Sequence, residues 1–363
     1  IPHYESMVQQ LDSPATREQF DLYPPGGTDV FFHDGRLPRP GSLLVQGALA
    51  GILKRLVAAE REAPGHRLDG LRTARDSFYR GDIARTIVDN TQRVGGILSL
   101  EDLSTYHAKY EEPVKSTFMG YEIHGQSTWT QAPVLMQTLS MLERFDLRKM
   151  GHNSLEYIHT VAEALKLALA DRQTYYGDPD FAEVPIDGLL SKEYAAERAK
   201  LIDAGKACPE MPAAGDPWRY SKRAGAPTAA STVAAGSEGD ASGDDAGTTH
   251  ITVLDRDGNM VCSTPSGGAF AKSVFFHELG CAVSTRIEMF NFDKGHPNVL
   301  EPGKRPRTTL INYILSKNGV PVMTVGCPGG DHQAQANVQT ILNTLVFDMN
   351  PQEAIEAPRF ATD

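Results

Sequence analysis

The sequence predicts an α+β fold in which a helical first part is followed by a strand-rich second part. In the first part, SLLVQGALAGILKRLV (42–57) and SLEYIHTVAEALKLALADRQTYY (154–176) place apolar residues at helical spacing. After residue 248 the chain alternates like a strand and turns back at Asp257–Gly258–Asn259. Helices first, followed by strands that are closed by further helices, are typical of an α+β layered fold.

Local signals in the first part indicate where its elements begin and end. Ser99 with Asp102 three residues later is the pattern of a capped helix start, and Gly177 follows the long helix as a stop signal. Between them, PVKSTFMGYEIHG (113–125) alternates and predicts a strand or one arm of a hairpin. We therefore expect residues 43–207 to be mostly helical, with one short β-element.

Alternation and turn residues predict short strands in the second part, and two helices close it. The last of these helices carries Glu353 at its third position, which completes a capping pattern. The predicted elements are strands at 249–255 and 259–265, a hairpin within 309–330 that turns at Asn318–Gly319, a helix from about Asp331 to Phe347, and a helix from Asn350–Pro351.

Composition excludes several classes of function. The 363 residues, 40% hydrophobic and 22% charged, suit one large layered domain or two smaller ones. A net charge of −11 argues against nucleic acid as a partner, and no apolar run approaches the roughly 18–20 residues of a membrane span. The four scattered cysteines argue against a zinc site and against a disulfide scaffold. IPHYESMVQQ resembles an interior segment, so we expect any targeting signal to lie outside this sequence.

The stretch 208–247 differs in composition from both parts. Its end, PTAASTVAAGSEGDASGDDAG, holds almost no large apolar residue and cannot offset the entropy of ordering itself, so we expect a mobile linker over 208–247. Directly after Gly247 the chain becomes strand-like, beginning Thr-Thr-His. This boundary divides the chain into portions 1–247 and 248–363.

If the Gly247–Thr248 bond is cut, Thr248 combines two catalytic groups in one residue. It then carries a hydroxyl nucleophile and a free α-amino group, whose ordinary pKa of about 7.7–8.0 lets it act as the base. Gly247 leaves its carbonyl open to attack by the Thr248 hydroxyl, which suits self-cleavage. Taken alone, the junction favours the simpler interpretation, a linker that enters a strand beginning with Thr-Thr.

Two downstream segments carry groups that acyl transfer to a threonine needs. GCPGGD (326–331) follows a strand and opens a helix, so the N–H groups of Gly329 and Gly330 can converge on an oxyanion. KRPRTTL (304–310) presents the hydroxyls of Thr308 and Thr309 beside three cations. Taken alone, the glycine pair can be a simple turn and the basic segment a solvated loop.

The segments GTTHITVLDRDGNMV, PGKRPRTTL, VGCPGGD and EAIEAPRF follow one another in the second part, and ALADRQTYYGDPDF (168–181) lies in the helical part. In this order and approximate spacing they resemble the γ-glutamyltransferase family of N-terminal nucleophile (Ntn) hydrolases. The resemblance implies a four-layer αββα sandwich, self-cleavage into two subunits that remain associated, and an acyl-Thr intermediate. It implies no cofactor and no metal, a small acidic amide as substrate, and water or an amine as acceptor. It also favours a periplasmic or secreted location.

Matching positions carry the family's site residues onto this chain. Ser266 stands where the family has a threonine whose hydroxyl supports the nucleophile, and two threonines stand where it has two carboxylate-binding serines. The implied set is the nucleophile Thr248 with the cleavage site Gly247–Thr248, the supporting Ser266, the oxyanion pair Gly329 and Gly330, and the carboxylate-binding Thr308 and Thr309.

The chain departs from the family in the stretch STRIEMF (284–290), where the family has a segment like NNQMDDF. Met289 replaces the Asp that grips the substrate's α-ammonium group, and Arg286 replaces a Gln; Gly268 replaces an Asn nearby. Losing an anion and gaining a cation favours a des-amino acyl group, such as a glutaryl- or oxamate-type amide, with Arg286 binding its carboxylate. In the alternative, Glu288 takes the place of the lost Asp and specificity is ordinary γ-glutamyl.

Two further alternatives stay open. An uncleaved, inactive relative could act as a binding protein and would remain a single chain. Cys327 could be a nucleophile with His250 or His332 as base, although its place directly before a Pro-Gly-Gly turn predicts a small buried residue instead.

Overall fold

The computed structural model describes residues 2–24, 26–222 and 247–362. The helices in this part of the chain are α1 (Glu5–Leu11), α2 (Pro14–Leu22), α3 (Gly26–Phe31), α4 (Gly47–Glu62), α5 (Arg67–Tyr79), α6 (Asp82–Arg93), α7 (Leu100–Thr105), α8 (Ala132–Leu142), α9 (Leu147–Met150), α10 (Leu155–Tyr175), α11 (Ile186–Leu189), α12 (Lys192–Ala199), α13 (His332–Leu345) and α14 (Pro351–Glu356). The strands are β1 (Val114–Phe118), β2 (Tyr121–Gly125), β3 (Ile251–Leu254), β4 (Met260–Ser263), β5 (Phe275–Phe276), β6 (Cys281–Ala282), β7 (Tyr313–Lys317) and β8 (Val320–Val325). This mixture confirms the α+β class.

One compact unit comprises residues 1–111 and 267–285. It contains α1 to α7 and the short pair β5–β6. An aromatic cluster forms one core, in which the rings of Phe31 and Phe275 meet edge to face at 4.9 Å. A second cluster is built around Ile83 and Phe276, both almost fully buried. Apolar burial in two small clusters therefore holds this unit together.

The second unit comprises residues 112–266 and 286–363 and contains a four-stranded antiparallel sheet in the order β1-β2-β7-β8. The register of β2 against β7 pairs Ile123 with Leu315, and both side chains are fully buried. Strands β1 and β2 precede Gly247 in sequence, and β7 and β8 follow it. The sheet thus joins the two portions that the sequence separates at residue 247.

Helix α8 packs against β1 and β2, helices α10 and α13 pack against α8, and all three share one apolar core with the sheet. The Tyr313 hydroxyl donates to the Ala132 carbonyl at 2.9 Å, so Tyr313 and its cross-strand partner Val325 point towards α8. Because side chains alternate along a strand, Thr324 points to the other face. There the Thr324 hydroxyl donates to Thr252 Oγ1 at 3.1 Å, so the hairpin β3–β4 lies against that face.

Several predicted boundaries are confirmed. Capping boxes form at Ser99 with Asp102 and at Asn350 with Glu353. The long helix ends at Tyr175, before Gly177, but Gly177 does not adopt a left-handed conformation. A Cβ at position 177 would lie 2.4 Å from the Pro297 carbonyl oxygen, so close packing against another segment explains this glycine.

The predicted mobile linker 208–247 does not hold for residues 208–222, which are packed on α10, α11 and α12. The Cys208 carbonyl accepts a hydrogen bond from Lys166 Nζ at 2.7 Å. The Gly215 carbonyl accepts one from the Tyr175 hydroxyl at 2.7 Å, and the Gly215 N–H donates to Asp171 at 3.0 Å. Backbone groups, which composition does not report, provide these bonds. The rest of the predicted linker, residues 223–246, lies outside the described residues.

Two kinds of feature were searched for across the described ranges. In them, no helix is both long enough and apolar enough to cross a membrane. They also hold no group of three or more His, Cys, Asp or Glu side chains that could bind a metal ion.

Candidate active site

The segment that enters β3 holds Thr248 beside the end of β4. Thr248 forms an antiparallel bridge with Ser266, and the Thr249 N–H donates to the Pro265 carbonyl at 3.2 Å. The Thr248 hydroxyl donates to Ser266 Oγ at 3.0 Å. Two residues that lie 18 positions apart in sequence thus have their hydroxyls in direct contact.

Arg286 approaches the same serine from the 3₁₀ turn Arg286–Met289. Its Nη2 donates to Ser266 Oγ at 2.7 Å, and its Nη1 donates to Met289 Sδ at 3.1 Å. Burial lowers the pKa of Arg286, whereas the charge of Glu288 raises it. A guanidinium group remains protonated at neutral pH in spite of such a decrease. A cation therefore lies two hydrogen bonds from the Thr248 hydroxyl.

The hairpin that carries Thr248 lies beside the end of β8. Thr252 contacts Thr324 through their hydroxyls, and a Cβ on Gly326 would lie 2.2 Å from the ring of His250. Residues 250 and 252 of the hairpin segment are therefore next to β8 and to the residue that follows it.

Both glycines of the turn adopt conformations that favour glycine. Gly329 has φ of 124° and Gly330 has φ of 51°. Their carbonyls accept hydrogen bonds from the N–H groups of His332 and Gln333 at the start of α13. Among the residues that the structure describes, the N–H groups of the two glycines have no hydrogen-bond partner. Two backbone donors are therefore available beside the helix start.

Thr308 and Thr309 lie in a buried segment that precedes β7. The Thr308 N–H donates to the Trp129 carbonyl at 2.8 Å. Thr264, next to the end of β4, donates to Asn312 Oδ1 at 2.6 Å and is hydrogen-bonded to His250 Nδ1 at 2.9 Å. These bonds tie the threonine segment to the hairpin that carries Thr248.

The three cations beside these threonines have structural partners. Lys304 donates to Glu301 at 2.7 Å, and Arg305 pairs with Asp178 at 2.7 Å. Arg307 is buried, donates to the Arg172 carbonyl at 3.0 Å, and has its pKa lowered to about 9 by burial and by the charge of Arg172. The basic segment is therefore neither a solvated loop nor a set of free cations, and the guanidinium beside the nucleophile segment comes from Arg286.

Comparison with known proteins identifies the family to which this chain belongs. The family model described as Gamma-glutamyltranspeptidase matches residues 2–363. The chain belongs to this family. The glutathione hydrolase proenzyme of Bacillus subtilis strain 168 is 32% identical over 337 residues, which is 92% of this chain and 54% of that protein. The chain thus spans about half the length of the curated relatives that it matches.

Solved structures share the fold of this chain. The structure of LmbA2991HD superposes with a TM-score of 0.84 at 35% identity, covering 99% of this chain and 62% of that one. The cephalosporin acylase from Bacillus halodurans superposes with a TM-score of 0.77 at 27% identity, covering 99% of this chain and 59% of that one. The similarity therefore extends to a protein named as an acylase.

The structure gives physical context to two departures from the family pattern. The sulfur of Met289 accepts a hydrogen bond from Arg286, so the two positions at which the sequence predicts a departure are in contact. Gly268 has φ of 112°, and a Cβ there would lie 2.0 Å from the Thr285 hydroxyl. A side chain as large as Asn does not fit beside Thr285. The substitutions in this gamma-glutamyltranspeptidase relative are mutually compatible.

Sequence reasoning did not identify a buried polar network behind the two loops. Gln131 donates through Nε2 to the carbonyls of Thr309 and Gly330, at 2.7 and 2.9 Å. Arg172 donates to Gln131 Oε1 at 2.9 Å and to Asp331 at 2.6 Å. Burial raises the pKa of Asp331, but the charge and hydrogen bonds of Arg172 outweigh this effect and lower it to about 2. The available signal was the charged pair Asp171–Arg172, which directly follows the apolar run LALA of α10.

The alternative nucleophile Cys327 lacks the electrostatics of a reactive thiol. Burial raises its pKa to about 11, and its Sγ contacts the Gln333 carbonyl at 3.8 Å. Burial also lowers the pKa of His250, an effect that a hydrogen bond with Asn312 opposes. The Nδ1 of His250 contacts Thr264 Oγ1. The thiol is therefore protonated at neutral pH.

Proposed function

We propose that this chain is a self-processing Thr-nucleophile amidohydrolase and acyltransferase of gamma-glutamyltranspeptidase type. The single observation that carries the proposal is the hydrogen bond from Thr248 Oγ1 to Ser266 Oγ, with Arg286 on the same oxygen. Cleavage of the Gly247–Thr248 bond frees the α-amino group of Thr248. That amine takes the hydroxyl proton as Thr248 attacks the amide carbonyl.

The remaining groups have complementary roles. The unengaged N–H groups of Gly329 and Gly330 stabilise the oxyanion of the tetrahedral intermediate. Thr308 and Thr309, together with Arg286, hold a carboxylate of the substrate. The Thr248 amine returns the proton to the leaving amine, and water or an acceptor amine then resolves the acyl-Thr ester. No step in this sequence requires a metal or cofactor.

The proposal includes two subunits, 1–247 and 248–363, that stay associated after cleavage. Support comes from the sheet, in which β2 from the first portion pairs with β7 from the second. Cutting one peptide bond at residue 247 leaves this ladder intact. We also propose the four-layer αββα sandwich, of which the helices on one face of the sheet and the β3–β4 hairpin on the other are consistent parts.

Self-cleavage is tested first, by denaturing mass spectrometry and N-terminal sequencing of the purified protein. We expect two fragments, the smaller beginning Thr-Thr-His-Ile-Thr. A single chain that stays intact on long incubation contradicts the proposal and favours the inactive binding relative.

A second candidate keeps the mechanism and changes the acyl group. The contact between Arg286 and Met289 favours it, because a cation occupies the neighbourhood in which the family binds an α-ammonium group. The substrate is then a des-amino acidic amide of the glutaryl or oxamate type. The test compares γ-glutamyl-p-nitroanilide with glutaryl-p-nitroanilide. Faster turnover of the glutaryl compound supports this candidate, and equal or slower turnover favours ordinary γ-glutamyl specificity.

A further inference from the structure

Gln131 connects the two loops that the proposed function assigns to the oxyanion and to the carboxylate. It lies directly before α8 and is fully buried. Its amide nitrogen donates to the Thr309 carbonyl at 2.7 Å and to the Gly330 carbonyl at 2.9 Å. These two residues are 21 positions apart in sequence, and because one precedes β7 and the other follows β8, both lie at the open end of the hairpin, away from its turn. One side chain therefore bridges the two loops at this end.

The orientation of the Gln131 amide is dictated by its partners. Arg172 has only donors, so the amide must present Oε1 to it, and the contact is 2.9 Å. The amide nitrogen then faces two backbone carbonyls, which can only accept. Arg172 is itself held by both carboxylate oxygens of Asp331, at 2.6 and 2.9 Å. Both polar groups of the Gln131 amide thus meet their complement, and glutamate at position 131 would lose both donors.

The supports of this amide are rigid. Gln131 precedes a helix whose residues are all buried, and Arg172 is 3% exposed within α10. Two residues before Gln131, the Trp129 carbonyl accepts from the Thr308 N–H at 2.8 Å. The segment 129–131 thus holds the threonine loop at two points and the glycine turn at a third.

We propose that Gln131 is a positioning residue that sets the distance between the Gly329–Gly330 turn and the Thr308–Thr309 segment, and thereby selects the length of the acyl chain. This inference rests on the proposed function, because it uses the roles given there to both loops. An acyl donor with a terminal carboxylate must reach both loops at once. Only a chain whose carboxylate-to-carbonyl span matches their separation reaches the reactive geometry, and displacements of about 1 Å cost about 100-fold in rate.

The test is Gln131→Glu, which keeps the shape of the side chain and its contact with Arg172. Gln131→Met is the second variant, and it keeps the volume while removing all the hydrogen bonds. The matched control is Gln339→Glu: buried Gln339 also donates to two carbonyls, those of Gln335 and Phe360, at 3.1 and 2.7 Å. It binds the C-terminal segment instead of the two loops.

The catalytic readout is kcat and KM for p-nitroanilides of malonate, succinate, glutarate and adipate. We expect the wild type to prefer one length, and Gln131→Glu to lose about tenfold in kcat on that substrate and to flatten the preference. Gln339→Glu should keep the preference. An unchanged length preference in both Gln131 variants, or an equal change in Gln339→Glu, overturns the inference.

A second readout does not depend on catalysis. Hydrogen–deuterium exchange is followed in peptides that cover 306–312 and 327–333. Losing a hydrogen bond of about 1 kcal/mol corresponds to about fivefold faster exchange, and both segments should change together in the Gln131 variants only. Unchanged exchange in these segments overturns the positioning role. An inactive, uncleaved wild type would refute the proposed function alone, while the exchange result still decides whether Gln131 holds the two loops.

Discussion

Arg286 Nη2 lies 2.7 Å from Ser266 Oγ, the atom that accepts the hydrogen bond of the Thr248 hydroxyl. A fixed cation is thus coupled to the proposed nucleophile through one serine oxygen. Opposite charge within about 4–6 Å favours the charged form of an acid. The guanidinium therefore favours negative charge that develops on Thr248 Oγ1, and it also attracts an acidic acyl group. Arg286 can therefore affect both the reactivity of Thr248 and the choice of acyl group.

Replacing Thr248 by Ala should abolish both self-cleavage and amide hydrolysis, because the attacking hydroxyl is lost. Thr248→Ser should retain cleavage. The matched control is Thr249→Ala, because Thr249 contacts Pro265 through its backbone N–H, which this substitution keeps. Mass spectrometry of the purified variants gives the result, and a cleaved Thr248→Ala protein would contradict the assignment of the nucleophile.

Replacing Ser266 by Ala should lower kcat by about 10- to 100-fold, because the Thr248 hydroxyl and a half-buried guanidinium lose their common acceptor. Ser266→Thr keeps the hydroxyl and should retain most of the activity. Ser263→Ala, at the exposed end of β4, controls for substitution in the same strand. If Ser266→Ala matches wild type in kcat, the hydrogen bond has no catalytic role.

Restoring the family residues should shift specificity towards an α-ammonium group. In the double variant Arg286→Gln with Met289→Asp, a cation is removed and an anion appears at the family's binding position. We expect the ratio of kcat/KM for γ-glutamyl- over glutaryl-p-nitroanilide to rise at least about tenfold, which is roughly 1.4 kcal/mol. Arg256→Gln removes a highly exposed cation from the hairpin turn and should leave the ratio unchanged. An unaltered ratio in the double variant argues against a specificity role for these positions.

The Asp331–Arg172 pair should make stability depend on pH in an acidic window. The folded-state pKa of Asp331 is about 2, below its ordinary value of 3.8. The pair therefore stabilises the fold above about pH 4, and this contribution is lost as pH falls towards 2. It is at most about 2 kcal/mol and is reduced further because the Asp331 side chain is 36% exposed. Urea unfolding of wild type and Asp331→Asn at pH 5 and pH 3 should show a difference that shrinks at pH 3. A constant difference would rule out this linkage.

Thiol chemistry should not affect activity. The raised pKa of Cys327 keeps its thiol protonated, so Cys327→Ala should cleave itself and hydrolyse substrate at rates within about threefold of wild type. Treatment of the wild type with iodoacetamide at pH 7 should leave activity intact. Inactivation that the Cys327→Ala variant escapes would restore the cysteine alternative.

Much of the local structure could be predicted because its signals lie within a few residues of sequence. Ser99 with Asp102 predicts a helix start through short-range capping, and Asn318–Gly319 predicts a hairpin through positive φ angles, which are 52° and 77°. The packing of residues 208–222 was missed because backbone carbonyls, such as that of Gly215, make the contacts. Composition reports side chains and carries no information about which backbone groups are bonded.

The α+β class, the family resemblance and the residue types of the candidate site could be read from the sequence, because periodicity, capping and motif order are properties of the chain alone. Which groups meet depends on the folded arrangement. In it, Arg286 binds Ser266, Arg305 pairs with Asp178, and Gln131 bridges Thr309 and Gly330. These relationships join residues between 20 and 199 positions apart, and packing alone fixes such distances.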